Sequence, residues 1–162
     1  MHQVAIIGAS GFTGAELLRI CASHPELNVV AATGNIEAGN RVADLYPSLA
    51  AAYGEMTFAA NDVSIVADAD LVFLGLPHGV SQSMVPDLRG SVKHVVDLAA
   101  DFRLDDPGLY PIWYGEAHAA PGLLDDFVFG LPEFFRSDLD GAELIAAPGC
   151  YVTTSSLASG HS

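Results

Sequence analysis

The chain has 162 residues, enough for one domain with a hydrophobic core, and 51% of them are hydrophobic against 16% charged. This is the composition of a folded globular protein, and it argues against intrinsic disorder. A net charge of −14 argues against a nucleic-acid partner, because binding to phosphates needs Lys and Arg, of which the chain has 6. No apolar run reaches the roughly 20 residues of a membrane span, so no membrane partner is predicted.

The first residues and the two cysteines bear on location. The sequence begins Met1-His2-Gln3 and passes directly into an apolar stretch, without the basic segment and cleavage site of a signal peptide. A cytoplasmic location is therefore expected, and Cys21 and Cys150 should stay reduced there. Their spacing is not that of metal ligands, so no metal site is predicted.

Short apolar runs alternate with helical segments along the chain. In chain order the predicted elements are a strand at 4–8, a helix at 13–23, a strand at 27–33, a helical turn at 42–45, strands at 56–58 and 70–76, a helix at 79–88, strands at 93–98 and 143–147, and a helix beginning at Cys150. Residues 99–141 are rich in Pro, Gly and aromatic residues, which indicates a long ordered excursion rather than a linker. The alternation predicts an α/β fold of the Rossmann type, with a doubly wound, mostly parallel sheet.

The first chemical motif is a glycine-rich turn between the first strand and the first helix. Its spacing is Gly-x-x-Gly-x-x-Gly, a variant of the dinucleotide-binding fingerprint. Glycines at such a turn let backbone N–H groups and the helix N-terminus approach a pyrophosphate. The candidate cofactor-binding residues are Gly8, Ser10, Gly11, Phe12, Thr13 and Gly14. An ordinary glycine-rich turn is the alternative.

The end of the second strand bears on the choice of cofactor. A site that prefers NAD would carry Asp or Glu here to hold the ribose hydroxyls, whereas this chain has Thr33 followed by Gly34-Asn35. The missing acid favours NADP over NAD, since an acid would repel the additional phosphate. No arginine stands here either, and Arg41 is the nearest cation. We predict Thr33 as a cofactor contact.

The second motif is Leu76-Pro77-His78-Gly79, at the carboxyl end of a predicted strand. Ligands of open α/β sheets bind along this edge. Leu76, Pro77 and Gly79 are therefore candidate cofactor contacts, and His78 is a candidate for binding substrate. The alternative is a turn that carries a solvent-facing histidine.

The third motif, 146–154, places Cys150 where a strand turns into a helix. The positive end of a helix dipole favours a thiolate, which makes Cys150 a candidate nucleophile. Thr153 and Thr154 in the first turn could offer hydroxyls and amides to an oxyanion. The alternative is a small buried cysteine, which is the expected state of Cys21 on the apolar stripe of the first helix.

Six segments in this order resemble the N-acetyl-gamma-glutamyl-phosphate reductases, a family of arginine-biosynthetic enzymes. They are 8–14, 73–79, 96–104, 113–115, 130–133 and 148–151. The resemblance extends over nearly all of the chain. The sequence departs from the family at Gly34-Asn35, where basic or hydroxyl residues are usual, and at Val152, where proline is usual. Family members are also much longer.

The resemblance implies a reaction. Cys150 would attack an acyl phosphate, phosphate would leave, and hydride from NADPH would reduce the thioester to a semialdehyde. Residues 1–147 would form the dinucleotide-binding domain and 148–162 the start of a catalytic domain whose remainder is absent. The histidine general base would lie beyond Ser162, and His161 is a poor substitute for it. The 162 residues alone are therefore expected to be inactive.

Further implications concern substrate and assembly. Arg103 could bind a carboxylate or phosphate of the substrate, or it could pair with a neighbouring aspartate. The expected partner is a small acyl phosphate, and a homo-oligomer is expected for the full-length protein.

Three other functions remain open at this stage. Aspartate-semialdehyde dehydrogenase has the same architecture and cysteine chemistry, but segment 113–115 favours the glutamyl-phosphate enzyme. The lysine-pathway counterpart acts on a substrate bound to an acidic carrier, so the charge of −14 counts against it. The third alternative is a non-catalytic dinucleotide-binding module.

Overall fold

The computed structural model of the protein describes residues 1–160, so His161 lies outside the described residues. The strands are β1 (His2–Ile7), β2 (Leu27–Ala32), β3 (Leu71–Leu74), β4 (His94–Asp97), β5 (Phe127–Phe129) and β6 (Leu144–Ala146). The helices are α1 (Phe12–Ser23), α2 (Val42–Leu45), α3 (Ala50–Tyr53), α4 (Ser81–Leu88), α5 (Tyr110–Trp113), α6 (Pro132–Leu139) and α7 (Cys150–Ser159). Within residues 1–160, no helix combines the length and the apolar character that crossing a membrane requires.

The six strands form one sheet in the order β2-β1-β3-β4-β6-β5, and every pair is parallel. The predicted α/β fold with a Rossmann-type parallel sheet is therefore confirmed. From β1 the chain passes to β2 on one side and then crosses to β3 on the other. Doubly wound sheets bind their ligands at such a switch point, here between the carboxyl ends of β1 and β3.

Apolar side chains pack on both faces of the sheet, because successive residues of a strand point to opposite faces. In β1, Val4 and Ile6 join the cluster that contains Leu18 of α1. Ile7 joins the opposite cluster, where Tyr110 of the excursion is buried as well. Full burial of a large apolar side chain stabilises the fold by about 1.5–3 kcal/mol. The excursion is thus part of the core.

One expectation about strands was wrong, and one strand was not predicted. Residues 56–58 form no strand, because Thr57 pairs with Arg41 in an antiparallel bridge while Ala59 pairs with Thr33 in a parallel one, and no ladder connects the two. Conversely, the excursion contains the edge strand β5, which pairs with β6. Its run of three residues is too short for a periodic pattern to reveal.

Candidate functional site

Two concave surfaces open at the carboxyl edge of the sheet. The glycine groove has a volume of about 350 Å³ and is lined by Gly8, Ser10, Gly11, Asn35, Asn61, Gly75, Leu76, Pro77 and Val80. The cysteine cleft has a volume of about 530 Å³ and is lined by Thr13, Leu98, Arg103, Ala147, Pro148, Gly149, Cys150, Tyr151 and Val152. The three predicted motifs thus contribute to two surfaces on one edge.

The glycines of the first motif bring the turn, the neighbouring strand and α1 close together. Gly8 has a φ of 84°, and a Cβ on it would lie 2.3 Å from the carbonyl oxygen of Gly75. A Cβ on Gly14 would lie 2.4 Å from Cα of Ala9. At Gly11 a Cβ would meet only the carbonyl oxygen of Gly8, at 3.5 Å, so the protein has room there. Because Gly11 lines the groove, a side chain added at this position would occupy space that a ligand can use.

Thr33 stabilises the glycine turn through hydrogen bonds of its hydroxyl. Its side chain is 1% exposed, and its hydroxyl accepts a hydrogen bond from Gly8 N–H at 2.9 Å. The same hydroxyl donates to Oδ1 of Asn61 at 2.5 Å. Thr33, predicted as a cofactor contact, therefore positions the turn, while Asn61, which the sequence analysis did not single out, lines the groove.

Four of the other predicted cofactor residues line one of the two surfaces, whereas Phe12, Gly14 and Gly79 line neither. Ser10, Leu76 and Pro77 line the glycine groove. Thr13 lines the cysteine cleft, although it belongs to the first turn of α1. Phe12 begins α1, and its side chain is 93% exposed.

A single carboxylate holds the second motif in place. Asp101 is fully buried, and its Oδ1 accepts Gly79 N–H at 2.7 Å and lies 2.6 Å from Nδ1 of His78. Its Oδ2 accepts Gln82 N–H at 3.2 Å, which satisfies a free amide at the start of α4. The ring of His78 also lies against that of Tyr114, with centroids 4.4 Å apart. The imidazole of His78 is therefore fixed at the edge of the sheet while a third of its side chain stays exposed.

A second buried carboxylate lies at the end of β4. Asp97 is 0% exposed, and its Oδ1 accepts the Ser81 hydroxyl at 2.7 Å and Ala99 N–H at 3.1 Å. Its Oδ2 has no hydrogen-bond partner among residues 1–160. Burial raises the pKa of Asp97 to about 6 against the two hydrogen bonds, which lower it, and the nearby Asp101 raises it further.

Arg103 braces the turn before Cys150. Its Nε donates to the carbonyl of Ala147 at 2.7 Å, and its Nη2 donates to that of Leu98 at 2.9 Å. A Cβ on Gly149 would lie 2.8 Å from Nη1, so the guanidinium packs directly against the turn. Of the two roles expected for Arg103, the ion pair with an aspartate does not form among the described residues. The cation instead lines the cysteine cleft.

Cys150 is exposed at the first position of α7, as the sequence predicted, and it follows Gly149, whose φ is 86°. The backbone N–H and the hydroxyl of Thr153 both donate to the carbonyl of Gly149, at 3.0 and 2.9 Å. Cys21 is buried, as expected, and burial raises the pKa of its thiol. The nine residues that line the cysteine cleft include no histidine and no acid.

The glycine groove has the chemistry that a nicotinamide dinucleotide requires. Gly8 and Gly11 line the groove without side chains, so a pyrophosphate can come close to the turn and the N-terminus of α1. Asn35 stands in the groove at the position where an NAD site carries an acid, and no acid is among the lining residues. The lining residues thus fit a dinucleotide, and none of them carries a negative charge that would repel an additional phosphate.

Comparison with solved structures identifies the same fold. Over 98% of this chain and 39% of the other, the structure aligns with aspartate semialdehyde dehydrogenase from Francisella tularensis at a TM-score of 0.66 and 16% identity. Aspartate semialdehyde dehydrogenase II from Vibrio cholerae gives a TM-score of 0.63 and 18% identity over 98% of this chain and 45% of the other.

Comparison with curated proteins confirms the resemblance that the motifs indicated. The chain is 46% identical over 157 residues to N-acetyl-gamma-glutamyl-phosphate reductase of Pseudomonas syringae pv. syringae (strain B728a), which covers 97% of the chain and 46% of that protein. The same enzyme of Marinobacter nauticus is 48% identical over 153 residues, 94% of the chain and 44% of that protein. The chain thus spans less than half the length of these relatives.

A family model covers most of the chain. Residues 3–142 match the model described as "Semialdehyde dehydrogenase, NAD binding domain". The match includes the glycine turn, the loop that carries His78 and the whole excursion. The chain therefore belongs to the family of semialdehyde dehydrogenase NAD-binding domains.

Proposed function

We propose that this chain is the cofactor-binding and nucleophile-bearing part of an NADPH-dependent reductase. The reaction converts N-acetyl-gamma-glutamyl phosphate to N-acetylglutamate semialdehyde and releases phosphate. The observation that carries the proposal is that Cys150 shares a cleft with Thr13 of the helix that follows the glycine turn. Thioester reduction requires such proximity between nucleophile and dinucleotide. The names of the curated relatives support the choice of substrate.

The reaction proceeds in two steps. The Cys150 thiolate attacks the acyl carbon, a C–S bond forms, and the C–O bond to phosphate breaks so that phosphate leaves with its electron pair. When bound, NADPH supplies a hydride to the thioester carbon. The C–S bond would then break, its electron pair would return to sulfur as the Cys150 thiolate, and the semialdehyde would leave.

The chain's own residues position the reactants. The free amides in the first turn of α1 bind the pyrophosphate, while the amides of Gly8 and Gly11 donate to Thr33 and to the Gly8 carbonyl and so hold the turn in shape. Leu76, Pro77 and Gly79 flank the path of the cofactor along the edge. Phe12, exposed at the start of α1, would be a further contact of the dinucleotide.

NADP is preferred over NAD in this proposal. The 2′-phosphate of NADP meets no acidic lining residue, and Asn35 can donate a hydrogen bond to it. The absence of Lys and Arg from the same lining predicts a modest preference rather than an absolute one.

Arg103 and His78 are proposed to bind the substrate. The Arg103 guanidinium is held by two backbone carbonyls, so its charge stays beside Cys150 when a phosphate or carboxylate enters. His78 is fixed by Asp101 through one ring nitrogen, which leaves the other one for a substrate oxygen.

The proposal includes domain organisation, assembly and location. Residues 1–147 form the dinucleotide-binding domain, 148–162 open the catalytic domain, and the full-length protein is a cytoplasmic homo-oligomer. Size-exclusion chromatography with light scattering of the full-length protein tests the assembly, and a monomer would refute it.

One observation favours a second candidate, a dinucleotide-binding module without catalysis. The described lining of the cysteine cleft offers neither an imidazole nor a carboxylate, the groups that most often transfer protons in catalysis. In that case the chain binds NADPH, but Cys150 forms no acyl adduct.

Two measurements test the proposal. Fluorescence titration should show binding of NADPH and weaker binding of NADH, and failure to bind either would refute the cofactor site. Mass spectrometry after incubation with N-acetyl-gamma-glutamyl phosphate should show an acyl adduct on Cys150 that Cys150→Ala lacks. Binding without this adduct would favour the second candidate.

A further inference from the structure

Asn61 lies in the glycine groove, although neither the glycine motif nor the loop of His78 includes it. It lies two residues after Ala59, which forms a parallel bridge with Thr33 at the end of β2. This bridge holds the segment of Asn61 against the carboxyl edge, two residues before the 3₁₀ helix Val63–Val66. Asn61 is half-buried, and its side chain helps to line the groove together with Gly8 and Asn35.

The hydrogen bonds around Thr33 fix the orientation of the Asn61 amide. The Thr33 hydroxyl accepts from Gly8 N–H, so its own proton must find an acceptor. Thr33 is 1% exposed, and a buried hydroxyl proton without an acceptor would be costly. Oδ1 of Asn61, at 2.5 Å, is that acceptor. The Nδ2 atom of Asn61 is consequently the end of the amide that points away from Thr33.

The amino group of Asn61 is therefore a donor available to a ligand. Among residues 1–160, Nδ2 forms no hydrogen bond and is not one of the buried unpartnered atoms, so it is exposed, and Asn61 lines the groove. A fixed and accessible amide donor in a ligand groove is a specificity element, since it pairs with acceptors and rejects donors.

We propose that Asn61 is a cofactor-binding residue whose Nδ2 donates a hydrogen bond to the adenosine half of the dinucleotide. This inference depends on the proposed function, because it requires that the groove binds NADPH. In a doubly wound sheet the adenosine ribose lies at the end of the second strand, which here leads to Asn35. The bridge between Thr33 and Ala59 places Asn61 beside that strand end. The adenosine half offers acceptors on the adenine ring, the ribose and the 2′-phosphate.

Fragments of the cofactor separate this contact from a structural role. Asn61→Ala should weaken NADPH and 2′,5′-ADP by about 3- to 10-fold, the effect of one hydrogen bond, and leave nicotinamide mononucleotide unchanged. Displacement of bound NADPH, measured by its fluorescence, gives both affinities. If Asn61 only supported the Gly8 turn through Thr33, the phosphate site would be disturbed and both fragments would weaken together.

Two further variants complete the test. Asn61→Asp retains an oxygen for Thr33 but has no amino group, so it should also weaken 2′,5′-ADP, and it replaces the alanine variant if that one fails to fold. Asn28→Ala is the control, because the Asn28 amide is exposed and bonds Gln3 at the opposite edge of the sheet. Wild-type affinity for 2′,5′-ADP in either Asn61 variant, or equal loss for both fragments, would overturn the inference. Lack of NADPH binding by the wild-type chain would instead refute the proposed function.

Discussion

Replacing Asp97 by asparagine should remove a pH-dependent part of the stability of the fold. The carboxyl is 0% exposed, and its Oδ2 has no partner among the described residues. Asparagine keeps an oxygen for the Ser81 hydroxyl and Ala99 N–H, and it is neutral at every pH of interest. The variant thus changes the charge of the site with little change of shape.

The expected magnitude follows from the pKa of Asp97. Burial raises this pKa from 3.8 to about 6 in the folded protein. Between these values the folded chain holds a proton that the unfolded chain has lost, so stability falls as the pH rises. The contribution is complete below pH 3.8 and is lost as the pH passes 6, in total about 3 kcal/mol at 1.36 kcal/mol per pH unit. That is a large share of the 5–15 kcal/mol typical of a folded domain.

The assay compares the free energies of unfolding in urea at about pH 5 and about pH 7.5. A lower pH would approach the isoelectric point of about 4.4, where solubility is lowest. Between these two conditions the wild type should lose about 1.4 kcal/mol more than Asp97→Asn. Asp125→Asn, which changes an exposed carboxyl, should follow the wild type. Parallel stability curves for the wild type and Asp97→Asn would show that the buried carboxyl does not retain its proton.

Three other predictions concern the glycine groove and the cysteine cleft. Gly11→Val should keep the fold and weaken NADPH binding at least tenfold, because its Cβ meets only the Gly8 carbonyl while the side chain fills the groove. The control variant Gly122→Val, whose side chain would enter open space, should bind NADPH normally. Equal affinities of the two variants would contradict this prediction. Timed alkylation should label Cys150 faster than Cys21, which is buried and has a raised pKa, and equal rates would count against Cys150 as nucleophile. A steady-state assay of the 162-residue chain with N-acetylglutamate semialdehyde, NADP and phosphate should give turnover far below 1 s⁻¹, the lower end of ordinary enzymes, because no histidine or carboxylate lines the cysteine cleft. Turnover near 1 s⁻¹ would contradict this prediction.

Much of the fold could be predicted because its strongest signals are local. The apolar runs of β1, β3 and β4 and the start of α7 at Cys150 stand out in the sequence, and all four elements form. Strand β5 could not be predicted, since its three residues follow a 3₁₀ helix and acquire strand geometry only by pairing with β6. The two bridges at Thr57 and Ala59 likewise depend on distant partners.

The same distinction applies to the site. The glycine turn, the loop of His78 and the turn before Cys150 are short motifs, and each lines one of the two surfaces or lies beside them. The residues that hold these motifs in place are distant in sequence. Asp101 binds Gly79 across 22 positions, and Thr33 binds Gly8 across 25. No spacing rule relates such pairs, and only the tertiary structure reveals that Asp101 is buried.

Strand order determines how a cofactor could serve Cys150. The glycine turn follows β1 and Cys150 follows β6, and three strand spacings of about 4.8 Å separate these strands, about 14 Å in all. A dinucleotide with its pyrophosphate at the glycine turn would therefore bring its nicotinamide to Cys150 only if the nicotinamide half extended towards the ends of β3 and β4. The groove and cleft are lined there by Gly75, Leu76 and Leu98, which carry no charge to obstruct it. The adenosine half would then lie on the opposite side, towards β2, where Thr33 orients Asn61.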